Sequence, residues 1–265
     1  MPELKSVHRH VPSFASLRTI AALMLREMTS TYGRSPGGYI WAVLEPALGL
    51  LVITLIFSIG FRSPKLGTNF AIFYASGLLP FFMFMNVSMK VQQSINFSKQ
   101  LLSYPRVTFV DALLARLFLT IIIQSIVGVL IFTFIRTMYE TRTILDLGHI
   151  LNAYAMATAI GMGVGMLNCV LVSRQAIWAS IWSVITRPLI LISGVIILHD
   201  TIPQPYRDWL SWNPLVHVVG ESRRGFYYSY SADYVDVAYA YGFALVTAMI
   251  GLRFLKTYYR DLLER

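Results

Sequence analysis

The chain has 265 residues, of which 56% are hydrophobic and only 13% are charged, and its mean hydropathy is +0.60. Soluble globular proteins carry about 25% charged residues. This composition therefore excludes an ordinary soluble enzyme and, with several long apolar runs, indicates a polytopic membrane protein. The formal net charge of +9 could suit a nucleic acid. Basic residues also mark the cytoplasmic side of membrane proteins, and no basic stripe occurs outside the loops, so we expect no nucleic-acid partner.

The N-terminal region predicts a helix that lies on the membrane surface. Residues 1–12 are polar and lack the pattern of a cleavable signal peptide, so we expect the first spanning helix to be retained. Over residues 13–30, apolar and polar side chains separate onto two helical faces, with Leu23 as the exception. The predicted apolar face comprises Phe14, Leu17, Ile20, Ala21, Met24, Leu25 and Met28. The predicted polar face comprises Ser16, Arg18, Thr19, Arg26, Glu27 and Ser30. An ordinary buried amphipathic helix is the alternative.

Six apolar segments follow a break that runs from Gly33 to Gly38. The predicted spans are Tyr39–Phe61, Phe70–Val87, Val110–Ile135, Ile150–Val172, Ile177–Leu198 and Tyr234–Leu252. Most Lys and Arg residues fall on the side of the N-terminus, so both termini are predicted to be cytoplasmic. The expected fold is all-α and polytopic, a single transmembrane domain over residues 1–265. It consists of a cytoplasmic segment 1–38, a membrane region 39–252 and a cytoplasmic tail 253–265.

Two connections are longer than a simple turn. Residues Ser88 to Tyr104 are expected in the cytoplasm, where a short helix could dock into a soluble partner. Residues His199 to Asp233 are expected outside. Within them, Pro214 to Val219 is apolar enough to form a re-entrant region that dips back into the bilayer, provided that protein or a water-filled cavity covers its backbone.

No motif in the chain predicts catalysis. The phosphate-binding pattern G-x-x-x-x-G-K-[ST] is absent, so we expect no ATP hydrolysis by that route. The run from Gly161 to Gly165 lies within a span and favours close packing of helices over nucleotide binding. Cys169 is the only cysteine and His217 is expected to be a structural hydrogen-bonding residue. The histidines His8, His10, His149, His199 and His217 show no metal-ligand spacing, so we expect no metal or cofactor on this chain.

Charged residues at membrane depth often mark function. Glu45 lies about two turns into the first span and directly precedes Pro46. The fifth span also contains a charged residue followed by proline, Arg187-Pro188. Glu45 is expected either to face a hydrophilic route or to pair with Arg34 or Arg116. A salt-bridged kink is the structural alternative. The aromatic residues near span ends fit either interface belts or the stacking surfaces of a sugar path, and these two interpretations stay open.

The chain resembles the KpsM-like permeases, the membrane subunits of ABC transporters that export capsular polysaccharide. The resemblance rests on ordered short motifs over nearly the whole chain, with Gly220 before Glu221 as a departure. These motifs are Leu25-Arg26-Glu27, Gly38 to Pro46, Gly77 to Phe82, Tyr104 to Val107, Arg187-Pro188-Leu189, Ile192-Ser193-Gly194 and Trp212 to Arg223.

The resemblance implies a homodimer of six-span subunits in the bacterial inner membrane. Two cytoplasmic ATPase subunits would hold ATP and Mg, and a periplasmic adaptor and an outer-membrane export protein would complete the route. The implied cargo is a lipid-linked acidic capsular polysaccharide.

The candidate site residues form two sets, of which the resemblance implies the first and the charges and aromatic residues of the spans suggest the second. The ATPase-coupling candidates are Gln92, Asn96, Lys99, Leu101, Leu102 and Tyr104 in the coupling segment, with Arg26 in the N-terminal helix. The substrate-path candidates are Tyr39, Trp41, Glu45, Phe81, Phe82, Arg187, Arg223 and Arg224. A polyanion favours positive potential on its path, so neutralising Arg223 and Arg224 together is expected to reduce export and leave assembly intact.

Three alternatives remain at this stage. The chain could export another lipid-linked glycan, such as O-antigen or teichoic acid. It could be a membrane-embedded enzyme that modifies glycolipids, which predicts His, Asp or Glu clustered at one membrane face. It could also be a structural or receptor-like membrane protein without transport.

Overall fold

In the computed structural model, residues 15–31, 37–102, 107–141 and 143–264 are described, and these residues form helices and no strand. The helices are α1 (Ala15–Thr31), α2 (Gly38–Gly60), α3 (Phe70–Gln92), α4 (Ser94–Leu102), α5 (Phe109–Met138), α6 (Leu147–Arg174), α7 (Ala176–Ile192), α8 (Tyr206–Leu210), α9 (Pro214–Phe226) and α10 (Val237–Glu264). The expectation of an all-helical membrane protein is confirmed for this part of the chain.

Five helical stretches in the described residues are long and apolar enough to cross a membrane. They coincide with five of the six predicted spans, although the second continues from α3 into α4. The predicted fifth span, Ile177–Leu198, differs because its helix ends at Ile192 and a turn with Gly194 at φ 74° follows. With 17 residues, α7 is about 25 Å long, which is shorter than the ~30 Å hydrocarbon core.

Local signals in the sequence place several helix starts. Asn69 caps α3 by accepting from the backbone N–H groups of Ala71 and Ile72. Thr108 and Asp111 form a reciprocal capping box at the start of α5. The side chains of Asp146 and Asn213 cap α6 and α9 as Asn69 caps α3, by accepting from backbone N–H groups. These caps hold each helix at a defined position along the bundle.

The core of the bundle is the packing of α6 between α3 and α10. A Cβ added to Gly161 would lie 2.9 Å from the carbonyl oxygen of Phe84 on α3, and Gly165 faces the same helix. Gly163 faces the other way, where its Cβ would lie 2.8 Å from the carbonyl oxygen of Ala244 on α10. The prediction that this glycine run packs helices closely is confirmed, because only glycine leaves room for both neighbours.

Replacing Gly163 with alanine is expected to destabilise the bundle by about 1 to 3 kcal/mol, because the new methyl group would force α6 and α10 apart. Gly242→Ala is the matched control, since a Cβ there meets nothing within 4 Å. It should be neutral or stabilising by up to about 1 kcal/mol through helix propensity. Thermal unfolding in detergent measures both, and equal melting temperatures for the two variants would contradict this account of the core.

The N-terminal helix packs with a different face from the one expected. The buried positions of α1 are Ile20, Leu23 and Glu27, and they lie against the bundle, where α1 packs on α5. Three residues of the predicted apolar face, Leu17, Ala21 and Leu25, remain exposed, and Phe14 lies outside the described residues. The buried face contains Glu27, from the predicted polar face, because a buried arginine on α5 pairs with its carboxylate.

For orientation, we call the end of the bundle that holds α4 the α4 end, and the opposite end, which holds α8 and α9, the α9 end. The connection predicted as a long external region forms a short 3-10 turn (His199–Thr201) and the helices α8 and α9. Helix α9 is buried against α6 and α3 over most of its length. Its backbone polar groups are thereby satisfied within a helix that is covered by protein.

Candidate functional site

The short helix α4 presents one outward face at the α4 end of the bundle. Its inner side is formed by Ile95, Ser98 and Leu102, which are buried. Asn96 lies opposite them and is exposed, as is Gln93 at the bend between α3 and α4. The predicted helix within residues 88–104 is therefore present, and its outward side is polar and accessible to a soluble partner.

The predicted coupling residues divide between this outward face and the interior. Asn96 is exposed, while Gln92, Lys99, Leu101 and Arg26 are half-buried. Leu102 is buried in the core, so it packs α4 onto the bundle and does not face a partner. The remaining candidate, Tyr104, lies outside the described residues.

A buried ion pair joins α1 to α5 directly behind α4. The Arg116 guanidinium donates through Nε and Nη2 to the Glu27 carboxylate at 2.9 to 3.1 Å. Both side chains are only 4% exposed. Charge-assisted bidentate pairs of this kind are the strongest of the side-chain hydrogen bonds. The expected alternative pairing of Glu45 with Arg116 is therefore wrong, and Arg34 lies outside the described residues.

Arg116 also connects this pair to the bend that carries α4. Its Nη1 donates to the backbone carbonyl of Lys90 at 3.1 Å, and its Cζ lies 4.3 Å from the ring centre of Phe97 on α4. The Lys90 ammonium adds a second cation 3.5 Å from Glu27. One side chain of α5 thus contacts α1, the end of α3 and α4.

At the α9 end, Arg223 is a structural residue. Its side chain is fully buried, and it donates to the carbonyl oxygens of Gly194 at 2.7 Å and Val195 at 2.8 Å. Its Cζ lies 4.4 Å from the ring centre of Phe73. These contacts clamp the turn after α7 onto α3 and α9. The expectation that Arg223 can be neutralised with assembly left intact does not fit this burial.

Arg224, the neighbouring residue, lies in a polar network that the sequence did not reveal. Its Nη1 lies 3.4 Å from the buried Glu221 carboxylate. Glu221 also accepts from Asn152 Nδ2 at 2.7 Å and lies 3.0 Å from His149 Nδ1. Asp146 stands beside His149, with 3.8 Å between Oδ2 and Nε2. His149 and Glu221 are 72 positions apart in the sequence, so no local sequence pattern predicts their contact.

The other described histidines of the α9 end hold the fold. His217 Nε2 lies 2.8 Å from the Ser211 carbonyl oxygen, and its Nδ1 accepts from the Asp236 backbone N–H. The prediction of a structural hydrogen-bonding role for His217 is confirmed. His199 lies on the ring of Tyr234, 3.9 Å between centres, and burial lowers the pKa of its imidazole below the ordinary value.

The remaining path candidates are spread over three helices. Trp41 and Glu45 on α2 are exposed on the bundle, as is Arg187 on α7, and both helices are thinly covered in a single chain. Phe81 is buried in the core of α3, and the adjacent Phe82 is half-buried. The side chain of Tyr39 lies outside the described residues. A single chain therefore does not bring these side chains together.

Comparison with known proteins gives consistent matches over this chain. The family model described as ABC-2 type transporter matches residues 18–227. The polysialic acid transport protein KpsM of Escherichia coli is 30% identical over 239 residues, which cover 90% of this chain and 93% of that protein. The capsule polysaccharide export inner-membrane protein CtrC of Neisseria meningitidis serogroup B is 26% identical, over 89% of each chain. The capsule polysaccharide export inner-membrane protein BexB of Haemophilus influenzae is 24% identical, over 91% of each chain.

Proposed function

The chain belongs to the ABC-2 type transporter family, and we propose that it is the membrane subunit of an exporter that moves a lipid-linked acidic capsular polysaccharide across the inner membrane. The observation that carries this proposal is full-length similarity to relatives named as transport proteins for polysialic acid or capsule polysaccharide. ATP would be hydrolysed, with Mg, on separate ATPase subunits. Transport is accordingly favoured over catalysis.

The assembly that we propose contains two copies of this chain. Helices α2 and α7 carry long exposed apolar faces together with the charges Glu45 and Arg187. Charges at membrane depth are costly unless they are paired or wetted, so a second copy facing these helices would enclose them along a hydrophilic path. In this arrangement α7 and the turn after it complete a sixth crossing, and both termini are cytoplasmic.

Two ATPase subunits would dock beneath this dimer, on the outward face of α4. That face presents Gln93 and Asn96 next to the exposed Met89. Movement of α4 would reach α1 and α5 through Arg116. A periplasmic adaptor and an outer-membrane export protein would receive the polymer on the other side.

Deletion of the gene tests the function, and a variant of α4 tests the coupling. Without the gene, surface polysaccharide should disappear and polymer should accumulate inside the cell. When the Asn96→Arg variant is expressed in the deletion strain, it should insert into the membrane but should not restore export. A long cationic side chain on the exposed face of α4 is expected to block docking of the ATPase. Binding of the co-expressed ATPase in detergent should weaken about tenfold or more.

Gln204→Arg is the matched control, since it places the same charge on an exposed residue at the α9 end. It should export normally and retain the ATPase. Surface polysaccharide that persists in the deletion strain contradicts the proposed function. Normal export by Asn96→Arg contradicts only the docking of the ATPase on α4. Chemical analysis of the trapped polymer distinguishes a capsular cargo from O-antigen or teichoic acid.

A further inference from the structure

A cleft of about 760 Å³, with both polar and apolar lining residues, opens at the α9 end of the bundle. It lies between the start of α6 and the chain that follows α9, far along the sequence from the coupling helix. The residues around it that can bind a ligand are Asp146, His149, Arg224, Tyr228, Tyr230 and Ser231. None of the contacts that hold α4 or α7 in place uses this cleft.

The cleft contains two neighbouring polar atoms that can bind a ligand, Asp146 Oδ2 and His149 Nε2. Asp146 Oδ1 is occupied because it caps α6, accepting from the backbone N–H of Gly148 at 2.9 Å. Its Oδ2 lies 3.8 Å from His149 Nε2, which is too far for a direct hydrogen bond. His149 Nδ1 lies 3.0 Å from the Glu221 carboxylate, an acceptor, so Nδ1 carries a proton and donates to Glu221. His149 Nε2 has no direct hydrogen bond at 3.8 Å and can pair with a hydroxyl group of a ligand, which both donates and accepts.

Asp146 Oδ2 and His149 Nε2, at this separation, fit two adjacent hydroxyl groups of one sugar ring. One hydroxyl group donates its O–H to the Asp146 carboxylate, and the other pairs with His149 Nε2. The Arg224 guanidinium is 32% exposed and makes one long contact with Glu221. Its other N–H groups can donate to sugar oxygens. Tyr228 is 89% exposed and offers an aromatic face to the C–H surface of a pyranose. Donors, acceptors and a stacking surface therefore meet in one cleft.

The charge balance decides which part of a sugar this cleft suits. Among the described residues, the carboxylates of Asp146 and Glu221 stand beside the Arg224 guanidinium and the His149 imidazole. These side chains bring no more positive than negative charge to the cleft, so they offer no excess positive potential to an anionic group. Recognition through hydroxyl groups is favoured over recognition through the acidic groups of a polymer.

We propose that this cleft binds a sugar residue with a vicinal diol, supplied by the exported glycan after it has crossed the membrane. The proposal rests on the proposed function, since the α9 end is external when the cytoplasmic ATPase docks on α4 at the opposite end. It names a contact site for the emerging polymer that lies outside the membrane spans.

Two variants and one chemical treatment test the diol contact. Asp146→Asn keeps the amide oxygen that caps α6 but replaces Oδ2 with a donating NH₂ group. Tyr228→Ala removes the stacking face. Tyr206→Ala is the matched control, because Tyr206 is also exposed at the α9 end. Periodate oxidation followed by borohydride reduction cleaves vicinal diols in the glycan and leaves the protein untreated.

The measurement is binding of short oligosaccharides, cut from the surface polysaccharide of the host, to the permease–ATPase complex in nanodiscs of phosphatidylcholine. This lipid has no diol, so its headgroup cannot supply the same contact as the glycan. Asp146→Asn and Tyr228→Ala should each raise Kd about tenfold, and oxidised glycan should bind no variant. Tyr206→Ala should bind as the wild type does.

Unchanged binding by Asp146→Asn and Tyr228→Ala overturns the proposal, as does equal binding of oxidised glycan or of a host polymer without vicinal diols. The gene deletion separates this failure from a failure of the function. If the wild-type gene restores surface polysaccharide while both variants bind normally, only the cleft proposal is lost. If surface polysaccharide never depended on the gene, the proposed function is lost with it.

Discussion

Arg116→Met is expected to lower the free energy of unfolding by about 3 to 5 kcal/mol, because it leaves the buried Glu27 carboxylate without its bidentate partner. The Lys90 ammonium, 3.5 Å away, would compensate only in part, since Lys90 is itself more exposed. Thermal unfolding of the purified chain in detergent measures the loss. Export and ATPase binding should fall with it, because α1 and α4 lose their common contact on α5.

A double variant separates the loss of stability from the loss of coupling. Glu27→Met combined with Arg116→Met removes both charges, and replacing a buried pair by apolar side chains is often neutral or stabilising. The double variant should therefore unfold closer to the wild type than Arg116→Met does. Arg187→Met, an exposed arginine on α7, should leave stability unchanged. A double variant as unstable as Arg116→Met would show that the ion pair is not what stabilises this junction.

Arg223→Met is expected to destabilise the α9 end by about 3 kcal/mol, because it leaves the carbonyl oxygens of Gly194 and Val195 without donors. The stacking of the guanidinium on Phe73 is lost as well. The turn after α7 should then detach from α3. Limited proteolysis of membranes should cut this turn in Arg223→Met and spare it in the wild type.

Arg224→Met, at the adjacent residue, is the control for Arg223→Met. Its guanidinium is partly exposed and makes one long contact with Glu221, so its loss should cost about 1 kcal/mol or less. Resistance to protease should stay near that of the wild type. If Arg223→Met folds as well as Arg224→Met and only export falls, the interpretation of Arg223 as a buried structural residue is wrong. A role for both arginines on the substrate path then becomes the better explanation.

Helix positions were accessible to sequence reasoning because the signals for them are local. Apolar runs predicted five of the long helices, and the glycine run from Gly161 to Gly165 predicted close helix packing, which in the structure is against α3 and α10. A single residue type, a spacing or a run length carries each of these signals, so no distant part of the chain is needed to interpret it.

The end of the fifth predicted span shows the limit of such reasoning. Residues Ile192 to Leu198 are apolar enough to continue a helix by composition. The chain instead turns at Gly194, where Arg223 from α9 binds the carbonyl oxygens that a continuing helix would have used. The competing hydrogen-bond donor is 29 positions away in the sequence.

The sequence by itself determined that this chain is a polytopic helical membrane protein with a polar segment between its second and third spans, and its ordered motifs indicated the transporter family. Only the tertiary structure decided which charges are buried and with which partners. Glu27 meets Arg116 across 89 positions, and His149 meets Glu221 across 72. The physical reason is that hydrophobic patterning acts within one helix, whereas a buried charge is tolerated only where packing brings a distant partner to it.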